Sequence, residues 1–150
     1  MTDKTIIRSL LIPLKGGQLL LPSAVVAEVT AYHQPEAMAG AYPDWLLGIS
    51  HWRKQQVPLV SIEKLLSLSS VVPTTKHRLV VFYGLDSSHL PCYALVAAEV
   101  PRVVTISEDS LTNPGVETRP GLVFSVTINN KETAWLPDLV YLETLLRKTL

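Results

Sequence analysis

The sequence predicts a mainly β protein: two related five-stranded β-barrels that share a core, with short helices, one of them at the C-terminus. Three observations carry this expectation. Apolar runs along the chain are short, rich in Val, Ile, Leu, Tyr and Phe, and separated by turn residues. The segment 122-LVFSVTI-128 alternates Leu122, Phe124, Val126 and Ile128 with Val123, Ser125 and Thr127, the period of two that turns one face of a strand inward. The order of elements also repeats along the chain, with 25-VVAEV-29 echoed by 96-VAAEV-100 and 59-LVSIEKLL-66 echoed by 139-LVYLETLL-146. A five-stranded sheet closed on itself removes its exposed edges and fills its interior with side chains alone.

The first half reads as strand 6–14, a turn at 15-KGG-17, strands 18–21 and 24–31, a loop near 33–43, strands 45–53 and 56–60, then a helix. The second reads as strand 78–84, a turn at 86-DSSH-89, strands 90–97 and 99–106, a loop near 108–121, strands 122–128 and 132–136, then a helix. Asn129-Asn130 tolerates the left-handed backbone of a tight hairpin. Pro137 and Asp138 suit the first turn of the final helix, where Leu139, Leu142 and Leu146 share a face and Arg147 and Lys148 complement the C-terminal dipole. The polar stretch 67-SLSSVVPTTKH-77 reads as a connector, so residues 1–150 form one domain of two barrel halves, roughly 1–72 and 73–150.

Composition narrows the function. Thirteen basic and thirteen acidic side chains cancel, leaving no net field to hold a phosphate backbone or an anionic membrane surface. No run approaches the roughly 20 apolar residues of a membrane helix, and 5-TIIRSLLIPLKGG-17, broken by Arg8 and Pro13, reads as a strand and not a signal. The expectation is a cytoplasmic protein with no membrane insertion and no nucleic-acid partner. Cys92 is the single cysteine, which excludes an internal disulfide, and its place in 90-LPCYALV-96 is that of a small buried hydrophobe.

The usual starting points of catalysis are absent. There is no G-x-S-x-G and no H-E-x-x-H, and Gly16-Gly17 lacks the following Lys-Ser or Lys-Thr of a phosphate cradle. His33, His51, His77 and His89 are dispersed, with no i, i+4 pair and no carboxylates at ligand spacing. The residues therefore imply no enzyme, no metal and no cofactor.

What remains is 46-LLGISHWRKQQVPLV-60, a predicted hairpin whose outer end presents Trp52, Arg53, Lys54 and Gln55. Lys54-Gln55 lacks the Gly or Asn favoured in a two-residue turn, and Pro58 belongs at an edge or a bulge because it supplies no ladder donor. Gly48 allows backbones to pack closely; Leu47, Ile49, Val57 and Val60 are assigned to the barrel interior, as is Trp45. One reading of such a tip is a stand-alone ligand-binding or single-stranded-nucleic-acid-binding double barrel, with Trp45, Trp52, Arg53 and Lys54 as its platform.

The run 43-PDWLLGISHWRKQQVPLVSIEKLL-66 resembles the CheW-like proteins, with Gly48, Arg53, Val57 and Pro58 matching the family's motif in register. The strands at 25-VVAEV-29 and 95-LVAAEVPRVV-104 resemble the family's as well, so the likeness spans nearly the whole chain. It departs where His51-Trp52 replaces Asn-Leu, Lys54 replaces Gly, and Ser61 and Ala98 stand where Asp is usual. The resemblance implies a twin barrel without catalysis that couples a chemoreceptor's cytoplasmic tip to the regulatory domain of a CheA-type histidine kinase. The departures imply altered partner preferences, as in an alternative pathway such as pilus-based motility. By the same resemblance Glu28 and Arg53, paired, shape the receptor-facing surface; Trp52 and Lys54 are added to it because they stand beside Arg53 at the hairpin's end, where Trp with Arg suits an interface, while Val123 and Trp135 are candidates for kinase docking.

Overall fold

The structure, a computed structural model, describes residues 6–66, 74–85, 90–107, 111–112, 122–128 and 131–150, with the backbone alone at 111–112 and 122–124. The predicted turns at 86–89 and 129–130, His89, and residues 67–73 of the connector lie outside the described residues.

The chain forms β1 (Ile6–Leu14), β2 (Gly17–Pro22), β3 (Val26–Ala31), β4 (Leu46–Trp52), β5 (Gln55–Val60), α1 (Ile62–Leu65), β6 (Arg78–Tyr83), β7 (Cys92–Ala97), β8 (Arg102–Ser107), β9 (Leu111–Thr112), β10 (Leu122–Ile128), β11 (Glu132–Pro137) and α2 (Leu139–Thr149). The class is mainly β with a C-terminal helix, as expected. A short 3-10 turn, Ser23–Val25, delays β3, and β9 is a short strand inside the stretch expected to be loop. No helix among the described residues is long and apolar enough to cross a membrane.

One sheet has the order β8-β1-β2-β11-β10-β9 and the other β3-β6-β7-β5-β4. The opening strands of each half, β1 and β2 or β6 and β7, lie inside a sheet completed by the last three long strands of the other half. The division near 72 therefore does not separate the sheets, contrary to the expectation that each half supplies its own barrel. The orders match element for element. Each sheet has one parallel joint, β2 with β11 or β7 with β5. Each also has a register shift in its terminal hairpin, between Leu46 and Gly48 or between Leu122 and Phe124.

The echo of 25-VVAEV-29 in 96-VAAEV-100 is not in structural register. The first runs through the 3-10 turn into β3, whereas the second leaves β7 before β8 begins. The helical echo corresponds only in its later part: Ile62, Glu63 and Leu66 are buried, as are Leu142, Glu143 and Leu146, but Leu59 and Val60 end β5 whereas Leu139 and Val140 open α2.

Strand alternation sorts the core into three parts. Ile12, Leu19, Leu21, Val80, Phe82, Tyr93 and Leu95 meet between the sheets, together with Leu46, Val60, Ile62 of α1, Leu66 just after it, and Leu142 and Leu146 of α2. The intervening residues Leu79, Val81, Cys92, Ala94 and Val96 join Val57 and Leu59 on the concave face of the five-stranded sheet. Leu11, Leu20, Ile106, Val126, Ile128 and Ala134 form the third cluster, on the six-stranded sheet. Strands buried on both faces read as continuous apolar runs, which is why β7 is buried at all six positions. The five-stranded sheet curls: Ala27 of β3 and Leu47 and Trp52 of β4, from opposite edges, pack on one concave cluster. Among the described residues no hydrogen-bonded ladder joins those edges.

Candidate functional site

The two edge strands of the five-stranded sheet meet at a seam, and the predicted tip lies there. In β3 the register shifts between Val26 and Glu28, so that Val26 faces Phe82 and Glu28 faces Val81. Directly opposed residues share a face, and Val81 belongs to the concave cluster, so the bulge turns Glu28 toward the concave side. On β4, Trp52 packs its half-buried ring on the same cluster. Its indole N–H donates to Glu28 Oε2.

Trp52 pairs with Gln55, so the hairpin turn is Arg53-Lys54 and not Lys54-Gln55 as the sequence predicts. Both residues have positive φ, 48° and 63°. Two left-handed residues in a two-residue loop suit the right-handed twist of the strands, which is why Asn-Gly is favoured there. Arg and Lys each carry a Cβ into this region at a cost of about 1–2 kcal/mol.

The turn directs the Arg53 guanidinium back over the seam. Its Nη2 lies 3.5 Å from Glu28 Oε1, and its Cζ sits 4.8 Å from the centre of the Trp52 ring. The structure thus brings Glu28, Trp52 and Arg53 together, with the two carboxylate oxygens divided between indole and guanidinium. Arg53 is 65% exposed, so the ion pair itself contributes about 0–1 kcal/mol and its geometry matters more than its strength. Lys54 stands exposed at the second turn position.

The far side of β4 carries the loop. Glu36 exchanges backbone hydrogen bonds with Ile49, at 2.8 and 2.9 Å. Gly48 makes this possible: its φ is 140°, and a Cβ there would lie 2.3 Å from the Glu36 carbonyl oxygen. The Glu36 side chain reaches His51 Nε2 at 3.2 Å, and His33 Nε2 lies 2.7 Å from Ser50 Oγ. Val57 is fully buried. Pro58 sits on an inner strand, contrary to expectation, but the ladder from β5 to β7 begins only at Leu59, so its missing donor falls where β5 is paired on one side. Leu46, Gly48 and Ser50 are the buried positions of β4; Leu47 and Ile49, assigned to the interior from the sequence, are half-buried. Trp45 packs against the central core.

The six-stranded sheet carries an ion pair of its own, between its edge strand β8 and its inner strand β11, that the sequence does not mark. Arg102, at the start of β8, reaches Glu132 at the start of β11 with contacts of 2.5 and 2.6 Å. Opposite charges alone were the only signal, and they lie 30 residues apart. Trp135, on β11, is half-buried against the central core, and its ring lies where a Cβ on Gly17 would clash at 2.3 Å. Val123 is in β10, but its side chain lies outside the described residues.

No group of three or more His, Cys, Asp or Glu side chains gathers at metal-ligand range among the described residues. Cys92 is buried in β7, and burial pushes its thiol up. The tip offers a cation, a carboxylate and an aromatic face on a strained turn, an arrangement suited to recognition.

Residues 8–145 match the family model of the CheW-like domain. Among solved structures, the chain is similar to the scaffolding protein TtCheW from Thermoanaerobacter tengcongensis, with a TM-score of 0.75, 17% sequence identity and 90% of each chain covered. At that identity the likeness concerns the fold. No curated protein matches the chain by sequence.

Proposed function

The chain belongs to the CheW-like domain family, and on that premise we propose that it is a non-catalytic, cytoplasmic chemosensory adaptor coupling a chemoreceptor's cytoplasmic tip to the regulatory domain of a CheA-type histidine kinase. We read the two sheets as the barrels of a twin-barrel fold: both edges of the five-stranded sheet pack on a single cluster, and the six-stranded sheet repeats its strand order. The observation that carries the functional reading is the exposed Arg53 guanidinium, held over the seam by Glu28 and Trp52. A planar cation fixed in orientation but open to solvent is suited to a bidentate contact with a carboxylate on a partner.

We assign kinase docking to the other sheet, to which Trp135 and Val123 belong, so that receptor and kinase would use different sheets. Trp52 and Lys54 give the tip a side chain and a turn unlike the family's Leu and Gly, so we assign the protein partner preferences of its own, in an alternative pathway such as one steering pilus-based motility.

The test is Arg53→Glu, which sets two carboxylates against each other at the seam. In a pull-down with a receptor cytoplasmic fragment, the variant should lose the receptor while still capturing the kinase regulatory domain. Its thermal midpoint should stay close to that of the unaltered protein, because the pair is exposed. Full receptor binding by the variant would remove the tip from the function.

A further inference from the structure

We infer that Trp52 is a positioning residue of the tip: its indole N–H to Glu28 and its ring face under Arg53 hold in place a turn whose own residues oppose its backbone. This rests on reading the tip as the receptor-facing site, and it names what sets that site's shape.

Three observations converge on Trp52. First, Arg53 and Lys54 both adopt positive φ without a glycine, so local preference works against the turn and something outside it must select that backbone. Second, Trp52 joins the rigid and the strained parts of the molecule. Its ring packs on the concave cluster, whose members Val57 and Leu59 are fully buried, while its N–H reaches Glu28 at the seam. Third, the carboxylate it engages is the one that engages Arg53. With Oε2 accepting from the indole, Oε1 is left facing the guanidinium. The same ring offers Arg53 its face at 4.8 Å, a second restraint on the same cation.

A rigid anchor thus fixes a carboxylate, the carboxylate and ring fix a guanidinium, and the guanidinium belongs to the first turn residue. A leucine in place of Trp52 would fill part of the concave cluster but would supply neither donor nor ring face. A glycine in place of Lys54 would relieve half of the turn's strain. The two substitutions should therefore be coupled.

The experiment uses the full chain and three variants: Trp52→Phe, which keeps an aromatic anchor and removes the donor, Lys54→Gly, and the double substitution. The strong intraresidue amide-to-Hα NOE that a positive φ produces reports the turn at Arg53 without any partner, and calorimetry reports binding to a receptor cytoplasmic fragment. Trp52→Phe should retain the fold, weaken that NOE and weaken binding by about three- to tenfold. Lys54→Gly in the Trp52→Phe background should restore both readouts. Weakened binding with an unchanged NOE would make Trp52 a direct partner contact and overturn the inference, as would an unchanged NOE and binding, or failure of Lys54→Gly to rescue. If the unaltered chain does not bind the fragment, the adaptor reading fails, while the NOE still decides the role of Trp52.

Discussion

A Cβ at Gly48 would lie 2.3 Å from the Glu36 carbonyl oxygen, on a backbone with φ of 140°. Neither neighbour can yield, because both belong to the paired segment joining Glu36 to Ile49. Gly48→Ala should therefore cost about 2 kcal/mol or more and detach the loop from β4, read as a lowered urea midpoint and faster amide exchange at Ile49. Tyr93 makes a different prediction. Its hydroxyl is buried with no hydrogen-bond partner among the described residues. Burial, and after it the charge of Glu143, raises its phenol above the ordinary value of 10.0. The folded state then keeps a proton that the unfolded state loses, so this contribution to stability is intact below pH about 10 and declines as pH rises further. Tyr93→Phe should change stability by less than about 1 kcal/mol at neutral pH and make the alkaline decline shallower, as urea titrations on either side of pH 10 would show. Charge type and motif register were enough to pair Glu28 with Arg53 from the sequence. The indole donor was not legible, because its acceptor lies 24 residues away and comes within reach only when β3 and β4 curl together.

Among the elements, the strands other than β9 were legible to within about three residues, because the period of two and the turn residues act locally. Their ends were less so: Arg53-Lys54 breaks the usual hairpin preference, and the register that centres the turn there is set by pairing along the whole of β4 and β5. α2 shows what an element gains from its surroundings. Asp138 caps it through the Tyr141 N–H at 3.0 Å, and Leu142 and Leu146 seat it on the central core. Glu143, though charged, is buried on the same face, and its two oxygens accept from the Leu85 N–H at 2.8 and 3.0 Å. Amphipathic spacing accounts for the leucines, but nothing in the sequence marks Glu143 as buried. Glu143→Ala should destabilise the protein by about 2 kcal/mol, because it leaves a backbone donor without its acceptor. A chemical-denaturation curve would measure this, and a change below about 0.5 kcal/mol would mean that solvent satisfies the Leu85 N–H.

At the scale of the molecule, the internal repeat is real, but its units are not independent bodies. Each sheet takes two strands from one half and the rest from the other, so either half alone would expose both faces of its central strands. Separately produced fragments 1–72 and 73–150 should show no cooperative unfolding, whereas an equimolar mixture should recover β-sheet circular dichroism and a single transition. A fragment that folds alone would contradict the interleaved arrangement. The sequence by itself determined the class, the strand positions, the duplicated order, the family resemblance and the residues of the tip, because each depends on periodicity, turn chemistry or a motif within a short stretch of chain. Only the tertiary structure decided which half completes which sheet, that the edges of the five-stranded sheet curl together at a seam held by Glu28, Trp52 and Arg53, and that Trp52 donates to Glu28. Strand exchange leaves every local pattern unchanged, and the partners at a seam are chosen by the geometry of burial over many residues at once.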